Sequence, residues 1–429
     1  MQAKKYDAIV VGAGQGGVPL SQSLAGAGRS TALIEQSHVG GTCVNEGCTP
    51  TKTMVASARV AYFARRGSEY GVRNSGWSVD MKAVRQRKRD MVESFRSGNE
   101  RRLKETKSLD LYMGKAAFTG MKTLRIQMKD GSTQDLSADT VIINTGTRPR
   151  VPDIEGIRKV PYFNSTTIME LDDVPSRLLI VGGGYIGLEF GQMFSRFGSK
   201  VTIVHRGSQL VPREDEDVAG EVRKIFQEDG IEVMLNSQPV SVTQEREGTI
   251  VLKVRKRKEN GGNEEMTLKG SHLLLAAGRA PNTDYLNPEK SDVQIDGRGF
   301  VKVNDMLETA VRGMYAIGDV KGGPAFTHIS YDDYRVLRTN LLEGGSATIK
   351  GRLVPYTIFI DPQLGRVGLS EKESRAEGMN IKVVKIPMSY VARALEAGET
   401  RGMMKVVVDV DSEKILGCAI LGIEGGEWI

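Results

Sequence analysis

The sequence predicts an α/β protein with two Rossmann-like dinucleotide-binding units on parallel sheets, followed by a smaller α+β module. Three observations carry that prediction. A strand, glycine turn, helix and strand open the chain at Tyr6, and the same series returns with its first glycine moved from Gly12 to Gly182, an offset of 170. From Pro355 the pattern changes to short alternating strands around one short helix, Glu371 to Glu377. The 429 residues are enough for roughly three domains at about 150 each. Hydrophobic residues at 39% and charged residues at 26% exclude both a disordered chain and a membrane-embedded body.

In the first unit the apolar run Ala8 to Val11 reads as a buried strand. It leads into Gly12-Ala-Gly14-Gln-Gly-Gly17, a helical stretch to about Gly28, and a second strand ending at Glu35. Gly12 and Gly14 allow the turn and the approach of a pyrophosphate to the backbone. Gly17 allows close helix packing, and the helix N-terminus faces the phosphate charge. Ala56 to Arg66 and Met81 to Lys107 read as helices. Gly114 to Phe118 and Thr123 to Asp139 read as hairpin strands, and Thr140 to Asn144 as a buried strand ending in Thr145-Gly146.

The second unit runs from Leu178 through Gly182-Gly-Gly184-Tyr185-Ile-Gly187 and a helix to the strand Lys200 to His205. Leu273 to Gly278-Arg279 and Gly313 to Gly318-Asp319 are further strands ending in turns. Glu35 maps onto His205 by the same offset of 170. An acidic residue there accepts hydrogen bonds from a free ribose diol, whereas a 2′-phosphate calls for cations. Glu35 therefore suits FAD or NAD, and His205 with Arg206 and Arg213 suits NADPH in preference to NADH.

The net charge of +6 is compatible with anionic small molecules. The basic runs Arg85 to Arg89 and Arg255 to Lys258 carry no interleaved aromatics, so they are expected to be solvated faces, and no nucleic-acid partner is expected. Three cysteines exclude a disulfide framework. With no signal-type or membrane-spanning segment read near the start, a cytoplasmic, reducing compartment is expected.

Cys43 and Cys48 stand in Gly40-Gly-Thr-Cys-Val-Asn-Glu-Gly-Cys-Thr-Pro-Thr-Lys52. On a regular helix they would be separated by about 7.5 Å along the axis. A disulfide needs Cα atoms about 4.4 to 6.8 Å apart. A bridge therefore requires irregular backbone between them, which Gly47 and Pro50 permit. Two unbridged thiols and half of a metal site are the alternatives. A structural zinc site would need more ligands than Cys418 and four scattered histidines offer, and no metal is expected. Cys418 reads as an inert thiol in a strand.

With these residues the chain resembles the pyridine nucleotide-disulfide oxidoreductases, the family of glutathione reductase and dihydrolipoamide dehydrogenase. The resemblance runs from the first glycine motif to the last strand. It is most specific in Gly-Gly-Thr-Cys-x4-Cys-x-Pro-x-Lys, and Phe326 to Tyr334 with Arg393-Ala-Leu and Thr400-Arg-Gly402 place it nearest the mercuric-reductase-like and reactive-chlorine-resistance flavoproteins.

The resemblance implies an FAD-binding domain at 1–149 and 277–350, an NAD(P)H-binding domain inserted at 150–276, and an interface domain at 351–429. It implies that Gly12, Gly14, Gly17, Glu35, Thr42, Ala116, Thr145, Gly146, Asp319 and Thr327 hold FAD. Gly182, Gly184, Tyr185, Gly187, His205, Arg206, Arg213 and Gly278 would hold NADPH, with Tyr185 as the gating aromatic. Electrons would pass from NADPH through flavin to a Cys43–Cys48 disulfide and on to a disulfide, metal ion or similar small oxidant. Cys48 would be the flavin-side thiolate, Cys43 the exposed interchange thiol, and Lys52, paired with Glu189, the cation beside the flavin. A non-catalytic redox sensor or binding flavoprotein is the alternative.

The family's interface domain usually carries a His-Pro element and a later Glu, supplied across a homodimer. Here no histidine follows His328, the chain stops at Ile429, and the C-terminal cysteine pair of mercuric reductases is absent. The module is expected to be truncated, on the hazard of an unpaired edge strand, the alternative being that a metal-ion or quinone acceptor needs no such base, and dimerisation is expected if the module is complete.

Overall fold

The computed structural model describes residues 3–73, 75–245, 248–258 and 261–429. The chain forms two compact units, one of residues 1–50, 89–148 and 279–352, the other of 51–88, 149–278 and 353–429.

The first unit is built on a parallel sheet. Lys4–Val11 pairs with Thr31–Glu35 on one side and Thr133–Ile143 on the other. Leu109–Gly120 extends the sheet beyond Thr31–Glu35, and Met314–Ala316 extends it beyond Thr133–Ile143. The two long strands run past the parallel region and close an antiparallel meander with Thr123–Met128. Alternation of side chains explains why the central strands are apolar at every position. Ile9, Val11, Ile34, Val141 and Ile143 face one core, with Phe118 and Ile126. Ala8, Val10, Leu33 and Ile142 face the other, with Leu20 and Leu24 of the helix Gly17–Gly26.

The second unit repeats this plan. Its parallel sheet runs His272–Leu275, Arg177–Val181, Lys200–Val204, Glu232–Met234, beside an antiparallel meander of Ser237–Gln244, Ile250–Arg257 and Asn263–Gly270. Leu178 and Ile180 pack with Phe190 and Phe194, whereas Leu179 and Val181 pack with Leu252 and Leu273. In chain order, this whole sheet lies between the strands Thr133–Ile143 and Met314–Ala316 of the first.

The same unit holds the C-terminal module, a five-stranded antiparallel sheet in the order Tyr356–Ile358, Gln363–Gly368, Ile415–Gly422, Met403–Asp409, Ile381–Pro387. Its helix Glu371–Ala376 starts in a capping box of Ser370 and Glu373. Lys405, only 2% exposed, pairs with Asp215, Asp217 and Glu371, each at 2.9 Å. That network ties the module's sheet to the start of the helix Glu216–Glu228.

Four expectations need correction. The helix expected from Ala56 begins at Cys48 and runs to Arg65, because Pro50 is tolerated in a first turn, where its missing N–H has no partner to lose. A second short helix, Ala392–Glu396, joins the C-terminal module. The last strand, Ile415–Gly422, is not an unpaired edge: Gln363–Gly368 and Met403–Asp409 flank it. The run Arg85 to Arg89 is not wholly solvated, since Lys88 is buried against Glu170 and Arg87 donates to the Thr53 carbonyl at 2.7 Å. Its partners lie far away in sequence, where local composition cannot show them.

Candidate functional site

In the first unit, the strand ends and the glycine turn build a cradle at the carboxyl edge of the parallel sheet, where ligands bind in such folds. Gly12 has φ +110°, and a Cβ there would lie 2.3 Å from the Asn144 carbonyl oxygen. A Cβ on Gly17 would lie 2.1 Å from the Gly12 carbonyl oxygen. Only glycine lets strand, turn and helix come this close. Asn144 Nδ2 donates to the Gly12 carbonyl at 2.9 Å. Glu35 accepts the Ala13 N–H at 2.9 Å and the Ser37 N–H at 2.8 Å. Ala116 is buried in the strand opposite Ile126.

Across the sheet, Asn282 holds the Thr145-Gly146 turn by donating from Nδ2 to the Thr145 carbonyl at 2.9 Å and from its N–H to the Gly146 carbonyl at 3.0 Å. The Thr145 hydroxyl is buried with no hydrogen-bond partner among the described residues. Such an orphan, beside a cradle a Cβ would fill, fits a bound polar cofactor. Arg279 Nε donates to Thr147 Oγ1 at 2.7 Å, and that hydroxyl donates to Asp319 Oδ2 at 2.9 Å. The N–H of Gly318 is taken by Asp333 at 2.8 Å, a fully buried carboxylate also paired with Arg352 at 2.6 Å and Lys321 at 3.3 Å. The aspartate and its turn are therefore held from both sides.

The loop that carries Cys43 and Cys48 begins in the same unit. A Cβ on Gly41 would lie 2.7 Å from the Gly14 Cα, so the two turns touch. The short helix Gly41–Asn45, carrying exposed Thr42 and half-buried Cys43, breaks at Glu46, where φ is −140°. Cys48 then becomes the first residue of a new helix. The backbone between the cysteines is thus irregular, and the helix N-terminus favours negative charge on Cys48. Cys48 Sγ lies 3.2 Å from the hydroxyl of Thr327, the first residue of the helix Thr327–Leu342.

In the second unit, Lys52 Nζ lies 2.7 Å from Glu189 Oε2, with the glutamate side chain only 4% exposed. Glu189 also accepts the Phe359 N–H at 2.9 Å, and Lys52 sits 4.6 Å over the Phe359 ring. A Cβ on Gly182 would lie 2.3 Å from the Ala276 carbonyl oxygen, and one on Gly187 2.0 Å from the Gly182 carbonyl oxygen. Gly184 has open space where a Cβ would stand, Tyr185 begins its helix 36% exposed, and Gly278 has φ +105°.

His205 needs a correction. Its Nδ1 accepts the Gly183 N–H at 3.1 Å, the counterpart of the bond from Ala13 to Glu35. Burial, and then the neighbouring Arg206 charge, hold its pKa below the ordinary value. It is therefore a neutral acceptor and adds no cation. Arg206 and Arg213 are exposed and have no ion-pair partner among the described residues. Sequence reasoning missed Asn144, Asn282, Thr147, Asp333 and Phe359. Only Arg279 carried a signal, as the residue after Gly278.

Two repeated nucleotide cradles, one beside a close cysteine pair, define a nucleotide-dependent redox enzyme. The family model for the pyridine nucleotide-disulphide oxidoreductases matches residues 6–333, and its dimerisation domain matches residues 354–429. The chain belongs to that family. It is 36% identical to the probable pyridine nucleotide-disulfide oxidoreductase RclA of Escherichia coli, over 99% of this chain and 91% of that protein. It is 32% identical to a mercuric reductase of Staphylococcus aureus, over 99% of this chain and 76% of that one. A solved structure of the Escherichia coli RclA, described as an HOCl-induced flavoprotein disulfide reductase, superposes with a TM-score of 0.88 over 98% of this chain and 91% of that chain. This protein is accordingly an oxidoreductase of a flavin- and pyridine-nucleotide-dependent family, and the sensor alternative gives way. No helix among the described residues is long and apolar enough to cross a membrane.

Proposed function

We propose that this protein is an NADPH-dependent FAD enzyme that reduces a disulfide, metal ion or similar small oxidant through Cys43 and Cys48. One observation carries the reading: Cys48, at a helix start, lies 3.2 Å from Thr327 in the unit whose cradle has a buried Thr145 hydroxyl without a hydrogen-bond partner among the described residues. We assign FAD to the domain formed by 1–149 and 277–350, NADPH to 150–276, and a homodimer interface to 351–429. A cytoplasmic setting suits a reversible cysteine pair.

Gly12, Gly14 and Gly17 leave the backbone open to a pyrophosphate, and Glu35 is held by two N–H groups in position to accept from a ribose diol. The orphan Thr145 hydroxyl and the braced Asp319 supply polar contacts along the cofactor, with Gly146, Thr42, Thr327 and the Ala116 backbone lining it. When bound, the flavin supplies two-electron exchange between a nicotinamide and a disulfide. Reduction of the Cys43–Cys48 bridge takes two electrons and two protons and leaves two thiols. The helix N-terminus then favours the thiolate of Cys48, while Cys43 meets the oxidant. Lys52, four residues after Cys48 and paired with Glu189, adds a fixed positive charge. Gly182, Gly184, Gly187 and Gly278 shape the second cradle, where Tyr185 covers the entry. Arg206 and Arg213 offer cations to a 2′-phosphate.

The test is an anaerobic titration with NADPH. It should bleach the flavin absorbance and raise a long-wavelength thiolate charge-transfer band that disappears in Cys48→Ser. Protein that binds no flavin, or a band that survives in Cys48→Ser, would overturn the reading. Turnover with disulfides, mercuric ion, cupric ion and quinones then identifies the oxidant.

A further inference from the structure

Glu189, Gln192 and Arg196 lie on one face of the helix Tyr185–Phe197, at spacings of three and four. All three seize one stretch of backbone. Glu189 accepts the Phe359 N–H at 2.9 Å. Gln192 accepts the Asp361 N–H at 2.7 Å and donates to its carbonyl at 2.8 Å. Arg196 donates to the same carbonyl at 3.2 Å and pairs with the Asp361 carboxylate. The segment 359–361 is thereby fixed against the helix, which determines where the Phe359 ring stands.

That ring stands under Lys52. The ammonium lies 2.7 Å from Glu189 Oε2 and 4.6 Å from the ring centroid, well inside the range of a cation–π contact. A lysine stem is long and rotamer-rich, and this one keeps 30% of its side chain exposed, so one ion pair leaves the ammonium free to swing toward water. The electron-rich ring face closes one side of that motion.

We propose that Phe359 is a positioning residue that holds Lys52 in place, using its backbone N–H to orient Glu189 and its ring to cradle the ammonium. This sharpens the role given to Lys52 above and rests on that reading. A restrained positive charge favours the reduced, more negative state of a group beside it, and a mobile one favours it less.

The experiment replaces Phe359 with phenylalanines bearing one, two and three ring fluorines, which drain the electron-rich face with little change of shape, and adds Phe359→Tyr and Phe359→Leu. The first readout is the rate at which an amine-acylating reagent labels Lys52, followed by peptide mass spectrometry. The second is the midpoint potential of the bound flavin by dye equilibration. Labelling should rise step by step to about two- to fivefold with three fluorines, the potential should move negative in the same order, Tyr should match Phe, and Leu should equal or exceed the trifluoro ring. Labelling that stays flat across the fluorine series would overturn the proposal. Lys52→Met separates the two ideas. A potential unmoved by Lys52→Met would overturn the role given to Lys52, while the labelling series still reports the grip of Phe359. A potential moved by Lys52→Met with a flat fluorine series would overturn Phe359 alone.

Discussion

The two glycine cradles are the same device with different occupants of one position. In both, the residue at the end of the second strand reaches back to the N–H that follows the first glycine: Glu35 to Ala13, His205 to Gly183. In the first cradle that acceptor is charged and also binds Ser37. In the second it is a half-buried, neutral imidazole beside exposed Arg206 and Arg213. The brace is common to both units, and the charge on and beside it is what differs. The mapped position thus keeps one structural bond with an acidic side chain in the first unit and an imidazole in the second.

The largest effect should come from breaking each cradle in turn. Gly12→Ala and Gly182→Ala each drive a methyl to within 2.3 Å of a carbonyl oxygen, from a φ that L-residues rarely adopt. Gly12→Ala should purify without flavin, with affinity down at least about a hundredfold, roughly the effect of 3 kcal/mol of backbone strain. Gly182→Ala should keep its yellow colour and lose reduction by NADPH, as seen in a stopped-flow absorbance trace.

Changing the charge beside the second cradle should act more narrowly. Arg206→Glu should weaken NADPH by about ten- to a hundredfold, the value of one charge-assisted contact, and leave NADH within about twofold. Equal losses for both coenzymes in steady-state KM would place the 2′-phosphate elsewhere.

Exchanging the braces is the subtler probe. Glu35→Gln should cost about five- to tenfold in FAD affinity by fluorescence titration, because a charged acceptor becomes a neutral one. His205→Glu should keep the brace and move coenzyme preference toward NADH, measured as the ratio of kcat/KM values.

The smallest effect is a pH dependence. His205 has a folded pKa below its unfolded value of about 6.5. The unfolded chain therefore takes up the proton first as pH falls. The stability this group contributes is complete above about pH 6.5 and declines as pH drops toward the folded pKa. Thermal unfolding between pH 8 and 5 should show a decline in Tm that His205→Gln partly flattens, while Glu35→Gln should leave it in place.

The repeat, the glycine turns and the cysteine spacing were legible because each is a local pattern whose physics acts within a few residues. Short apolar runs ending in glycine turns identified the central strands, and a bridge between Cys43 and Cys48 would need irregular backbone of the kind found at Glu46. The bracing of the cradles was not legible. Asn144 supports Gly12 from 132 residues away, and Arg148 meets Asp284 from 136. Nothing local distinguishes Asn144 from any other asparagine after a strand. The start of the helix Cys48–Arg65 was missed because Pro50 reads as a breaker until its place in a first turn is known.

By itself, then, the chain of letters determined which segments become strands, which glycines must stay bare, and which two cysteines share one short loop. Those properties follow from backbone sterics and from runs of apolar side chains. The tertiary structure alone decided that His205 is turned inward as a neutral acceptor, that Lys88 is buried, and that Phe359 lies under Lys52. Protonation and hydrogen bonding answer to whatever stands within a few ångströms, and only the folded chain determines those neighbours.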